Sequence, residues 1–148
     1  MRHALIVVSL FVGVAGASPT AHDAWIALGP PGDAPRAGYL TLRNPSAMPI
    51  ALVAVSSPAF AKVELHRSEQ AGGQLRMRLV PRLEVPARGA VELAPGGLHL
   101  MLFGANRALR AGQHLALVLA FADGTTLAVD AEVRDPRDTG TSHQHGTH

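Results

Sequence analysis

Two histidines and two methionines carry the strongest chemical signal in this sequence: His66, Met77, His99 and Met101. A thioether sulfur is soft and neutral, and an imidazole adds affinity without adding charge. The set therefore suits Cu(I) and offers Zn(II), Mg(II) or Ca(II) little. Of the 4 Met in the chain, one is the initiator and two belong to this set. Taken singly, each residue has a plainer explanation, because a Met in a strand usually fills a core and a lone His usually sits at a surface. The joint pattern carries the inference. The chain has no Cys, which removes thiolate nucleophiles, disulfides, iron–sulfur clusters and Cys-ligated zinc. A blue-copper electron-transfer centre needs a thiolate as well. Such a site would hold copper, not cycle it.

The spacing has a structural logic. His99 and Met101 are two residues apart, so on a strand they share a face, while Leu98, Leu100 and Leu102 take the other. Between His66 and Met77 stands Ala71-Gly72-Gly73. A two-residue loop at Ala71-Gly72 would put His66 directly opposite Met77, as cross-strand neighbours. The same register sets Leu65 opposite Arg78, a mismatch that a bulge would have to repair. With Val63 and Leu65 alternating against Glu64 and His66, the four candidate ligands would converge on a face that the core does not need.

The elements that must position them read as short strands. Apolar runs at 24–28, 38–43, 50–56, 62–67, 74–80, 90–93, 98–103, 114–121 and 126–133 are separated by Gly- and Pro-rich punctuation. Strands of this length and spacing, with no ten-residue helical period, predict an all-β sandwich or barrel in a single domain. Asp123-Gly124 marks a tight hairpin, and residues 107–110 are expected to form one helical turn. The 148 residues suffice for one core. Lys+Arg 13 against Asp+Glu 11 leaves a formal +2, and the Arg are scattered without interleaved aromatics, which argues against a nucleic-acid partner.

Both ends read differently from the middle. Met1-Arg2-His3, an apolar run to Val14 and the small residues Ala15-Gly16-Ala17 predict a signal peptide over 1–17, too short to span a bilayer. With no Cys at the cleavage point, export to a periplasm without a lipid anchor or membrane span is expected. Residues 18–134 would form the β domain and 135–148 a flexible polar tail. In that tail His143, His145 and His148 form a second candidate site, suited to Cu(II). His22 lies near the expected mature N-terminus, and His114 opens a strand and is expected to be structural or solvent-facing.

The ordered spacing of His66, ten residues, Met77, twenty-one residues, His99, one residue, Met101 resembles the signature of the periplasmic copper chaperone PCu(A)C family. Asp23-Ala24-Trp25, Ala37-Gly38-Tyr39-Leu40-Thr41-Leu42, Val63-Glu64-Leu65-His66, Met77-Arg78 and the stretch from Pro95 to Leu102 look like that family's landmarks too, so the resemblance covers roughly residues 23–133. It implies a cupredoxin-like β-barrel binding Cu(I) through these two His and two Met. It also implies delivery towards the Cu(A) centre of cytochrome c oxidase, on subunit II, alongside Sco-type proteins. Many members carry Met after the first His, where this chain has Arg67. Two other readings stand beside this one: copper sequestration for resistance, and a metal-free β-sandwich interaction module. An enzyme is not expected, since no G-x-S-x-G or H-E-x-x-H motif occurs.

Overall fold

The computed structural model describes residues 16–138. Among them run ten strands: β1 (Thr20–Ala27), β2 (Arg36–Arg43), β3 (Ile50–Ser56), β4 (Phe60–Ala71), β5 (Gln74–Leu79), β6 (Leu83–Val85), β7 (Ala90–Leu93), β8 (Leu98–Ala105), β9 (His114–Phe121) and β10 (Thr126–Arg134). Seven close a barrel in the order β4-β8-β2-β1-β10-β9-β3, with β3 returning to β4 through the pair Val55↔Val63. β1 and β10 run parallel, and the other pairings are antiparallel. Outside the ring, β5 extends β4, β6 extends β3 and β7 pairs with β2.

Alternation along the strands fills the barrel. Leu115, Leu117, Leu119 and Phe121 of β9 face Val129, Ala131 and Val133 of β10 across one wall, while Leu40, Leu42, Leu100 and Leu102 line the other. Each strand turns every second residue inward, so its remaining side chains are available for something else. The expected all-β single domain is therefore observed, and closure of the seven-strand ring confines the sheet edges among the described residues to the outer strands β5, β6 and β7.

Two local expectations differ. The three-residue β6 escapes the sequence reading because Pro81 and Pro86 crowd it on both sides, yet it buries Leu83 and Val85 against the core. Residues 107–110 form a bend and irregular chain, not a helical turn, and no α-helix occurs among the described residues. No helix there is long and apolar enough to cross a membrane. The expected hairpin between β9 and β10 is present as a three-residue loop. Gly124 (φ 87) donates to the Phe121 carbonyl at 3.0 Å, and Phe121 donates to the Thr125 carbonyl at 2.9 Å. Asp123 Oδ1 accepts from the Thr125 hydroxyl at 2.6 Å and its N–H at 2.9 Å, which holds the Asp123 carboxyl below its ordinary value.

Candidate metal centre

The hairpin that carries His66 and Met77 turns one residue later than expected. Its loop is Gly72-Gly73, with φ of 59° and 78°, and Ala71 pairs with Gln74. A two-residue loop with both positions left-handed wants glycine at each, and Ala71 would have been strained there. His66 consequently opposes Leu79, and Met77 opposes Ser68. The register has moved by two, which preserves the face of every side chain. His66 and Met77 remain on one face, as diagonal neighbours within reach of a long side chain. The mismatch foreseen for Leu65 also disappears: Val80 donates to the Leu65 carbonyl at 2.8 Å, and Arg78 stands opposite Arg67.

The larger surprise is on the other side of β4. His66 and His99 are direct ladder partners, and Glu64 opposes Met101 in the same way. The two imidazoles have centroids 6.0 Å apart at 54°. Edge strand β5 supplies Met77, half-exposed at 53%, and β8 supplies His99 and Met101. All four candidate ligands thus project from one face of β5, β4 and β8. That face is less open than expected, because His99 is only 5% exposed. On its far side Ala37 of β2 opposes Met101, and two residues further Tyr39 packs on Trp25 with ring centroids 4.6 Å apart. Burial pushes the Tyr39 phenol up.

Hydrogen bonding polarises both rings. His66 Nε2 lies 2.8 Å from Glu64 Oε2. A carboxylate only accepts, so in neutral His66 the proton is on Nε2 and the lone pair on Nδ1. Lys62, whose Nζ is 2.8 Å from Glu64 Oε1, and then His66 hold the Glu64 carboxyl below its ordinary value. His99 Nδ1 donates to the Gly97 carbonyl at 3.1 Å, which leaves its lone pair on Nε2. Both lone-pair atoms, His66 Nδ1 and His99 Nε2, are buried and have no partner. Buried polar atoms are nearly always paired, so two orphans on facing rings need an explanation. A cation between them and the two thioethers would satisfy both. No group of three or more His, Cys, Asp or Glu is placed to hold a metal among the described residues, so an ion here depends on the methionines. Hard divalent ions would find too few suitable donors.

Glu64 is the member of this centre that sequence reasoning passed over. It stands two residues before His66 on the same strand, hence on the same face, and that spacing was the available signal. His22 lies on β1, bonded to the Thr20 hydroxyl at 2.9 Å, and His114 pairs with Asp130 at 2.7 Å on the surface. Neither joins the His66–His99 rung. His143, His145 and His148, with most of the expected signal peptide, lie outside the described residues.

The family described as "Putative lipoprotein LpqE-like" matches residues 20–133. The chain belongs to this family, and its domain is of the PCuAC type. It is 32% identical over 100 residues to "Putative lipoprotein Lxx21020" of Leifsonia xyli subsp. xyli (strain CTCB07), a match covering 67% of this chain and 60% of that relative. The solution structure of Cu(I)-DR1885 from Deinococcus radiodurans is 36% identical with a TM-score of 0.67, covering 84% of each chain. The copper-bound PCuAC domain from PmoF2 superposes with a TM-score of 0.68 at 22% identity, covering 82% of this chain and 97% of that one. This last likeness is one of fold, and it establishes the cupredoxin-like barrel. The family name is one of lipoproteins, which fits an exported, envelope-associated protein.

Proposed function

We propose that this protein binds one Cu(I) ion as cargo through His66, Met77, His99 and Met101 and hands it to a partner outside the cytoplasm. The observation that carries this reading is the pair of buried, unpartnered nitrogens, His66 Nδ1 and His99 Nε2, on directly opposed residues. Copper-bound relatives of the same fold support it. The rest of the chain would serve that role. The ladder between β4 and β8 fixes the two imidazoles, and the Glu64 and Gly97 contacts orient them before the ion arrives. Such outer contacts raise ligand basicity and reduce the reorganisation that binding requires. Met77 sits on an edge strand and is half-exposed, so it is the ligand that an incoming donor from a recipient can displace first. Exchange of a neutral thioether needs no proton transfer. Four protein donors leave no open position for a substrate, and the role is therefore binding and transfer, not catalysis.

The recipient in this reading is the Cu(A) centre on subunit II of cytochrome c oxidase, with Sco-type proteins acting in the same assembly. Residues 1–17 would direct export to the periplasm, 18–134 would carry the Cu(I) centre, and His143, His145 and His148 would collect Cu(II). Anaerobic Cu(I) titration against a chromophoric competitor tests the core of this. Stoichiometric binding that survives excess Zn(II) is expected. Displacement by equimolar Zn(II) would contradict the thioether assignment.

A further inference from the structure

Among the described residues, one buried charge has no counter-ion. Arg36 opens β2 with its side chain on the inner face of the barrel, only 6% exposed. A guanidinium stays cationic at ordinary pH and carries five N–H donors. Nη1 donates to the Ala34 carbonyl at 2.6 Å and Nη2 to the Gly32 carbonyl at 3.2 Å, while Nε is buried with no acceptor. The ion pairs among the described residues use Lys62, Arg78, Arg82, Arg134, Arg137, His66 and His114, and none uses Arg36. An unpaired buried charge is among the costliest features a core can hold.

The same side chain lines a groove of about 610 Å³ between the loop after β1 and the loop after β8. Leu28, Pro31 and Leu109 give that groove apolar walls, and Arg107 and Arg137 add cations. Arg137 is already held by Asp135 at 2.6 Å, whereas Arg107 only contacts Asn106 Oδ1 at 3.1 Å. Asp33 also lines the groove but forms no ion pair with either Arg36 or Arg107. Gly29 (φ +63) covers the guanidinium: a Cβ there would stand 3.1 Å from Arg36 Cδ and 3.2 Å from Nη1. A larger residue at position 29 would press on the guanidinium and would have to adopt a left-handed φ that side chains disfavour.

We propose that this groove binds a small organic anion, a carboxylate on a compact apolar body. The carboxylate takes the unspent N–H groups of Arg36, with Arg107 at the rim, and the apolar body lies against Leu28, Pro31 and Leu109. Charge-assisted, two-pronged contact is what a guanidinium offers a carboxylate. The site is separate from the His66–His99 rung, because Arg36 and Ala37 point to opposite sides of β2 and it is Ala37 that opposes Met101.

The test is a titration of the full chain with hexanoate, hexanamide and inorganic phosphate, read by the ¹H–¹⁵N signal of the Arg36 Nε–H group. Hexanoate is expected to shift that signal saturably, with hexanamide and phosphate each at least about tenfold weaker. Arg107→Gln should weaken hexanoate roughly threefold with an unchanged melting temperature, as loss of one rim charge does. Equal binding of hexanamide would overturn the role of the charge. Equal binding of phosphate would overturn the role of the apolar walls. An Arg36 signal unmoved by excess hexanoate would overturn the site itself.

Discussion

His99 has two roles that pull on the same side chain. It is 5% exposed, so it packs like a core residue, and its Nε2 is unpartnered, so it is primed like a ligand. His99→Ala is accordingly expected to abolish tight Cu(I) binding and also to cost the apo-protein about 0.5–3 kcal/mol. Leu100→Ala, at a fully buried neighbour, should cost about 2–5 kcal/mol and leave a Cu(I) site that still works in the folded fraction. Chemical denaturation of both variants, followed by competitive Cu(I) titration, separates packing from ligation. Glu64 makes a narrower case. Glu64→Gln keeps the shape of the side chain but removes the carboxylate that orients His66, and Cu(I) affinity is expected to fall about 10–100-fold with the fold intact. An unchanged affinity would mean that the 2.8 Å contact to His66 has no bearing on the lone pair opposite it.

At the scale of elements, the centre depends on a hairpin whose register two glycines set. Gly72 and Gly73 both have positive φ, so Gly73→Ala is expected to cost roughly 1–2 kcal/mol and to weaken Cu(I) binding through displacement of Met77. Ala71→Gly removes the strain that disfavours a loop at Ala71-Gly72, so it is expected to loosen the register and weaken Cu(I) binding modestly, as read by competitive Cu(I) titration. The other tight hairpin answers to pH. Asp123 has a carboxyl held below 3.8 by Thr125. Its contribution is therefore complete above that value and is lost as pH falls through the lowered one. Asp123→Ala should lower the unfolding midpoint at pH 7, and the gap to the unsubstituted protein should narrow as the pH falls below 3.8, as measured by denaturant titration across that range. These two turns show what the sequence could and could not disclose. Short apolar runs bounded by Gly and Pro punctuation marked β9 at 114–121 and β7 at 90–93 to the residue, because their length and flanks leave room for a strand but not a helix. The hairpin register was misjudged by two because Ala71-Gly72 and Gly72-Gly73 differ only in the strain of one alanine. The face of His66 and Met77 was right regardless, since a shift by two cannot change it. The His66–His99 pairing was not legible at all: β4 and β8 are far apart in sequence, and nothing local specifies which strands of a barrel become neighbours.

For the whole molecule, the three strands that carry the proposed ligands lie on the side of the barrel's weakest seam. β3 and β4 close it through one bridged pair, Val55↔Val63, and a crevice of about 170 Å³ lined by Leu52, Val63, Leu65 and Leu79 opens beside it. A Cu(I) ion held by β4, β5 and β8 would fasten that side. Binding to the native state alone stabilises by mass action, about 4 kcal/mol at a free concentration of 1,000 Kd, so anaerobic Cu(I) loading should raise the melting temperature and a Cu(I) chelator should reverse it, whereas Zn(II) should do little. Truncation after residue 138 is expected to leave this Cu(I) effect unchanged and to remove any Cu(II) bound by His143, His145 and His148. ¹⁵N imidazole NMR of the anaerobic Cu(I)-loaded protein reads directly which nitrogen of each ring, His66 and His99, holds the metal. His66 Nδ1 and His99 Nε2 should move to the metal-bound range, while His66 Nε2 and His99 Nδ1 stay protonated against Glu64 and Gly97. Metal-bound shifts on the opposite nitrogens, or no shift on either ring with copper bound, would contradict the account.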